Sequence, residues 1–314
     1  MEIYSRTYMI STEFWGRQLN LFLLRGDKGM FLIDTGLAGM PKDLIFPYLQ
    51  AHGLPQDQLI LMASTHAHAD HLGGNAEIQA AIPTAKLGCH ELDKPWVENH
   101  ELVFTDLYET HSEMGMFTPE LRKLLTDVSG ANSRVDIVWK GGEVIDLGGR
   151  QVEVVHAPGH SRGNCVFLDR QGGALFEAET ILGGATGEPG KLAVPSYYEV
   201  VAYRHTMRHL AELPWKTLYS SHSQPRDRQA GLAYIQESLD FVDRFLEQVE
   251  TALSSHGGPA TFADICHGMH DQFGYALDLG LVLMVDAHLN HLARIKRASE
   301  SCEVRWTALP ADRK

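Results

Sequence analysis

His66-Ala67-His68-Ala69-Asp70-His71 follows directly on the apolar run Leu59 to Ala63. Three imidazoles and a carboxylate within six residues crowd one another and repel if protonated, so they have little reason to cluster without a cation. In an extended loop, residues two apart point to the same side. His66 and His68 can then share one metal while Asp70 and His71 turn toward a neighbouring one. The ordinary alternative is a solvated His-rich loop, yet four specified positions match by accident in only about one chain in a few hundred. The location adds to the argument, because α/β folds place ligands at the carboxyl ends of strands.

The chain of 314 residues has room for one large domain, or for a catalytic domain with a small appendage. With 44% hydrophobic and 21% charged residues, it is globular in composition and neither disordered nor fibrous. A formal net charge of -13 argues against a general nucleic-acid or anionic-membrane binder, while leaving room for a local cationic site. Met1 to Arg6 do not begin a secretory signal, and no apolar stretch approaches the roughly 18 to 20 residues that span a bilayer. Cys89, Cys165, Cys266 and Cys302 are far apart and form no CxxC pair, which fits a reduced, cytoplasmic protein. The count of 17 histidines is the outlier.

The first 36 residues read as antiparallel strands, with Asn20 to Arg25 and Met30 to Ile33 joined by a turn-rich connection, and with Asp34-Thr35-Gly36 closing the second. A helix is expected over Lys42 to His52 and a strand over Leu59 to Ala63. Residues 94–134 have helical spacing and many aromatic, Met and His residues, and read as an inserted helical lid. Such a segment can line an apolar substrate pocket, pack in the core or form a dimer contact. Strands are expected at Val135 to Trp139, Gln151 to His156, Cys165 to Asp169, Ala174 to Ala178 and Thr217 to Ser221, the last preceded by a helix over Tyr198 to Glu212. From Leu232 to Leu253, apolar residues recur every three or four positions, which marks a long helix stopped by Gly257-Gly258-Pro259. Helices over Thr261 to Met269 and Leu279 to Ala298 and an extended end, Glu303 to Leu309, suggest a winged-helix-like appendage. The domains expected are thus 1–225 and 226–314.

These motifs, in this order, resemble the metallo-β-lactamase fold superfamily across about residues 1–225. The resemblance implies an α/β fold, a four-layer αββα sandwich. Asp34-Thr35-Gly36 resembles the family's strand-ending Asp-Thr-Gly, whose Asp supports the metal loop from behind the ligands. Pro158-Gly159-His160 resembles its third motif, which makes His160 the partner of His66 and His68. His222 resembles its last ligand, joining Asp70 and His71 at a second metal. One position departs: where the family commonly reads Gly-Asp-Thr, with an Asp bridging both metals, this chain reads Ala178-Glu179-Thr180. Glu179 keeps the carboxylate but displaces its oxygens by about 1.5 Å unless the backbone compensates.

Other features carry less. Gly159-His160-Ser161-Arg162-Gly163 matches the G-x-S-x-G nucleophile elbow, but Asn164 to Leu168 reads as a strand where an elbow needs a helix. Arg162, Asn164, Ser196, Tyr197 and Tyr198 lie in loops after the metal motifs and are candidates for substrate contact. Arg294, Lys296 and Arg297 form a short basic run that can touch phosphates, with a solvated helix face as the favoured reading in so acidic a chain.

The resulting expectation is a dinuclear hydrolase that takes two divalent metal ions, zinc first, with iron or manganese as alternatives. A metal-activated hydroxide would cleave an ester, thioester, lactone or amide of a small molecule. Asp70 both ligates and orients the nucleophile, relaying its proton. Two alternatives stand beside this, a ribonuclease-type phosphodiesterase and a non-catalytic metal-binding regulatory module. The family's di-iron oxidoreductase type is disfavoured by His68 and by the lack of a following flavin domain. A small-molecule partner is expected, with nucleic acid disfavoured, no membrane, and a homodimer open.

Overall fold

Apolar residues two apart along facing strands build the core that positions the site. The computed structural model describes residues 1–295, 298–300 and 305–308. Lys296, Arg297, Cys302 and the two ends of the expected segment 303–309 lie outside the described residues. The chain forms two compact units. The first comprises Met1–Leu107, Thr118–Thr180 and Leu213–Gly231, and the second comprises Tyr108–Phe117, Ile181–Glu212 and Leu232–Lys314. These units cut across the linear boundary expected at residue 225, and they divide the expected 94–134 insertion, of which only 108–117 falls in the second.

The first unit holds two sheets. One runs in sequence order through β1 (Glu2–Tyr4), β2 (Thr7–Phe14), β3 (Arg17–Arg25), β4 (Met30–Ile33), β5 (Leu59–Ala63), β6 (Lys86–His90) and β7 (Ile137–Trp139). Its first four strands pair antiparallel and β4 to β7 pair parallel. The other comprises β8 (Val144–Asp146), β9 (Gln151–His156), β10 (Cys165–Asp169), β11 (Ala174–Ala178), β12 (Thr217–Ser220) and β13 (Arg226–Asp227), in the order β13-β12-β11-β10-β9-β8. Phe22, Leu24, Phe31 and Ile33 from the first sheet meet Val152, Val154, Phe167 and Phe176 from the second in one buried cluster. Phe22 and Phe176 ring centroids are 5.1 Å apart, as are those of Phe31 and Phe167. Phe22 and Leu24, Phe31 and Ile33, and Val152 and Val154 each share a face of one strand, and with Phe167 and Phe176 they bring apolar surface from five strands into one layer.

The parallel pairing of β4 to β7 requires crossover connections, and these carry the helices. They are α1 (Phe46–Ala51), α2 (Ala69–Leu72), α3 (Asn75–Ala81), α4 (Lys94–Glu98), α5 (Glu101–Val103) and α6 (Pro119–Ser129). The helix expected over Lys42 to His52 opens instead with a π-type turn, Pro41–Ile45. Pro47 has no amide hydrogen for the bond to residue 43, so the regular ladder cannot run through this stretch. Thr118 caps α6, its hydroxyl accepting from the Leu121 amide at 3.2 Å.

The second unit is mainly helical: α7 (Val200–Glu212), α8 (Arg228–Ser255, begun in the first unit), α9 (Phe262–Phe273) and α10 (Leu279–Arg294). A small sheet, β14 (Ala260–Thr261), β15 (Ala298–Glu300) and β16 (Arg305–Ala308), has the order β14-β16-β15. A capping box between Thr261 and Asp264 starts α9. Segment 108–117 is fastened here by His111, which lies 3.1 Å from Glu113, 3.0 Å from Asp286, and stacks on Phe262 at 3.7 Å. Among the described residues no helix is long and apolar enough to cross a membrane.

Candidate metal centre

The site stands where β4, β5, β11 and β12 end. After β5 the chain bends over residues 65–68 in place of the expected extended loop, and His68 itself has φ -85° and ψ 151°. From Ala69 to Leu72 it is helical, so Asp70 and His71 share a helical turn. Glu179 follows an irregularity in the pairing of β11 with β12 between Phe176 and Ala178, and Ala178 itself has φ +53°. A bulge of this kind re-aims the next side chain.

Among the described residues two groups have the composition and spacing to hold a metal ion: His66, His68, His160 and Glu179, and Asp70, His71, Glu179 and His222. Within each group one ligand atom per residue lies within 4.8 Å of every other. His68 Nδ1 is 3.1 Å from His66 Nε2 and 3.0 Å from His160 Nε2. Three ring nitrogens meeting at one point cannot all pair with one another through hydrogens, whereas their lone pairs suit one cation. Glu179 Oε2 joins the groups, 3.4 Å from His160 Nε2, 3.4 Å from His222 Nε2 and 3.6 Å from His71 Nε2. His71 Nε2 and His222 Nε2 are buried with no well-aligned hydrogen bond. The side chains therefore fit a pair of divalent ions in donor type and in convergence.

The far ring nitrogens of His66, His71 and His222 face oxygen atoms. Asp34 accepts from the Thr65 amide at 2.8 Å and the Thr65 hydroxyl at 3.0 Å, and its Oδ2 is 2.8 Å from His71 Nδ1. Thr65 Oγ1 is in turn 3.1 Å from His66 Nδ1. His222 Nδ1 faces the Gln18 carbonyl at 2.9 Å. With Nδ1 donating, a neutral ring turns the Nε2 lone pair toward the centre.

Electrostatically the groups differ. Burial, reinforced by His160, pushes His68 down to about 3, and burial with neighbouring imidazoles holds His66 well below the usual range. In the second group burial acts in the same sense but loses: Asp70 and Asp34 hold His71 well above the usual value, and Glu179 raises His222 to about 9. Burial would raise the carboxyls of Asp70 and Glu179, but His71 and His222 respectively keep them low. His66 and His68 are thus neutral imidazoles. The second group is a set of ion pairs whose protons a cation would displace.

All seven expected ligand residues and Asp34 meet in this one region of the first unit. The candidates for substrate contact fare otherwise. Asn164 is buried, and its Nδ2 donates to Thr180 Oγ1 at 2.6 Å, tying β10 to the residue after Glu179. Tyr197 is 1% exposed in the core of the second unit, stacked on Tyr203 at 4.3 Å with its hydroxyl 2.8 Å from His288 Nε2. Both side chains are buried, and among the described residues Asn164 Oδ1 has no hydrogen-bond partner. Ser196 and the half-buried Tyr198 also belong to the second unit, while Arg162 is exposed and its carbonyl faces His156 Nε2 at 2.9 Å. Ser161 is no nucleophile, because its buried hydroxyl donates to Asp93 at 2.6 Å and a strand follows.

Three contributors have no motif of their own. Asn20 donates to the carbonyls of Ser220 and Ser223 at 3.0 and 3.1 Å, bracketing His222. Arg17 reaches Glu179 Oε1 at 3.3 Å. Asp93, beyond β6, accepts from Ser161 and Gly163 in the loop that carries His160. A buried polar residue inside an apolar strand was the available signal for Asn20, since it must find partners.

Residues 15–222 match the family described as the metallo-beta-lactamase superfamily. Among curated proteins, the acyl-coenzyme A thioesterase MBLAC2 of Homo sapiens is 28% identical over 181 residues, covering 54% of this chain and 61% of its own length. A hydroxyacylglutathione hydrolase of Synechococcus sp. (strain JA-2-3B'a(2-13)) is 25% identical over 175 residues, covering 54% and 55%. The chain thus spans less than two thirds of these relatives. A metallo-beta-lactamase family protein from Thermus thermophilus superposes with a TM-score of 0.74 at 18% identity, covering 97% of this chain and 99% of that one. A beta-lactamase domain protein from Burkholderia ambifaria gives 0.73 at 18%, covering 98% and 94%. The two structures share the fold with this chain, which is the α/β sandwich expected from the sequence.

Proposed function

Because the chain belongs to the metallo-beta-lactamase superfamily, we propose that it is a metal-dependent hydrolase that cleaves the thioester of a small acyl carrier. The observation that carries the hydrolase reading is the shared Glu179 Oε2, which stands between imidazoles of both groups at 3.4 to 3.6 Å. The thioester follows from the relatives, named for acyl-coenzyme A and for hydroxyacylglutathione.

His66, His68 and His160 would hold one ion, Asp70, His71 and His222 the other, and Glu179 would join them. Divalent ions there supply Lewis acidity, polarising the carbonyl and lowering the pKa of water to about 7. Ser161 is committed to Asp93, and Cys89 and Cys165 are buried with thiols pushed up by that burial, so none of these three is suited to covalent attack. Metal-activated water is the nucleophile this reading uses. Asp70 is 26% exposed at its side chain whereas His66 and His71 are closed off, so it is the carboxylate that orients entering water and takes its proton. Water adds to the carbonyl carbon, the carbon–sulfur bond breaks, and the products are a carboxylate and a thiol. The phosphodiesterase alternative draws no support from Arg294, which is paired with Glu199 at 2.9 Å.

The test is release of free thiol from acyl-coenzyme A and acylglutathione, beside lactone, amide and RNA substrates. We expect thioester cleavage that a chelator abolishes, that zinc restores, and that His68→Ala lowers at least about a thousandfold, the scale of losing an essential catalytic element. Cleavage of lactones or amides with intact thioesters would reassign the substrate, and full activity in His68→Ala would remove the metal mechanism.

A further inference from the structure

We propose that Asp93 is a positioning residue of this centre, fixing the loop that carries His160 to the turn that follows β6. The inference rests on the metal reading above and concerns how the three imidazoles are brought to one point.

Asp93 lies in the turn between β6 and α4 and is 1% exposed. Its Oδ2 accepts from the Ser161 hydroxyl at 2.6 Å and its Oδ1 from the Gly163 amide at 2.7 Å. Ser161 follows His160, and Gly163 stands three residues beyond that histidine. One carboxylate thus takes two hydrogen bonds from the His160 loop, which lies about 70 residues further along the chain.

Two further observations show that the clamp is built in. A side chain on Gly163 would put its first carbon 2.6 Å from the Asp93 nitrogen and 2.8 Å from Oδ1, so the loop can close on Asp93 only because that position is glycine. Asp93 is itself held by the chain around it: its amide donates to the His90 carbonyl, and its own carbonyl accepts from the Trp96 and Val97 amides. The carboxylate is therefore a fixed point to which the His160 loop is tied. The 3.0 Å between His68 Nδ1 and His160 Nε2 depends on it. Asp34 does a different job, since it orients individual rings, His71 directly and His66 through Thr65.

Asp93→Asn keeps the shape but turns one acceptor into an NH2 group facing a donor, which loosens the clamp. Zinc affinity by chelator competition, the rise in melting temperature on adding zinc, and the melting temperature of the metal-free protein are measured together for wild type, Asp93→Asn and Ser161→Ala. We expect Asp93→Asn to fold, to bind zinc roughly 10- to 100-fold more weakly, and to lose most of the zinc-induced rise. Ser161→Ala, which removes one bond and leaves no buried charge unpaired, should weaken zinc about fivefold. A folded Asp93→Asn with wild-type zinc affinity overturns the assignment. If that variant does not fold, unchanged affinity in Ser161→Ala overturns it instead. Wild-type protein that takes up no zinc would overturn the metal reading itself, a result distinct from zinc uptake that Asp93 does not influence.

Discussion

His71 Nδ1 lies 2.8 Å from Asp34 Oδ2, both side chains buried, although 37 residues separate them in the chain. The same carboxylate takes the amide and the hydroxyl of Thr65. Asp34→Asn would present an NH2 group to one of these three donors and release the ring. Metal affinity should fall about 10- to 100-fold, measured by competition with a chromophoric chelator. Equal affinity would show that the ring holds its angle without Asp34.

Glu179 reaches His160 and His222 at 3.4 Å through one oxygen while the other meets Arg17 at 3.3 Å. Glu179→Asp withdraws the carboxylate by about 1.5 Å from both ends. The expected result is fewer ions retained per chain after gel filtration, with the site of Asp70, His71 and His222 emptied first. Unchanged stoichiometry and rates would remove Glu179 from the ligand set.

Ala178 holds φ +53°, a left-handed conformation that its methyl group disfavours. Ala178→Gly should relieve that strain, offset in part by the greater freedom of glycine in the unfolded chain, for a net gain of about 1 kcal/mol or less. Urea midpoints decide the sign, and a lower midpoint would mean that the bulge carries no strain.

His288 is buried on α10 against Tyr197 and Phe245, and burial first, then His291 and Arg204, pushes it down to about 3. Its folded value lies below the unfolded value of about 6.5. Stability is then whole above about pH 6.5 and is lost as pH falls toward 3, because the unfolded chain takes a proton that the folded one refuses. By about pH 5 the loss from this group is about 2 kcal/mol. In His288→Gln, which keeps an acceptor for Tyr197, the stability curve between about pH 7 and 5 should be flatter by that amount. Parallel curves would mean that His288 is charged in the folded state.

Phe167 packs edge-on to Phe31 at 5.1 Å and to Trp139 at 5.6 Å, both from the opposite sheet. Phe167→Ala should cost about 3 to 5 kcal/mol by transfer and cavity formation. A denaturant midpoint close to wild type would show that the two sheets collapse to fill the gap.

Much of this protein is local in its sequence. Strands such as Gln151–His156, Cys165–Asp169 and Ala174–Ala178 fall where alternation and Gly-rich turns put them, because strand periodicity is a property of neighbouring residues. His66, His68, Asp70 and His71 were legible for the same reason, being crowded into one loop. His160, Glu179 and His222 were legible only through their resemblance to a family.

Tertiary structure alone decided what the remaining polar residues do. Asp93, Asn20 and Asn164 are single residues with no periodic signature, and their hydrogen bonds join loops that meet only after the sheets have packed. Tyr197 and Asn164 lie in loops and are candidates for substrate contact from sequence, and both are buried, because exposure is set by what arrives from elsewhere in the chain. The grouping of residues into two interleaved units is of the same kind, since compactness depends on contacts between distant segments and no single stretch encodes it.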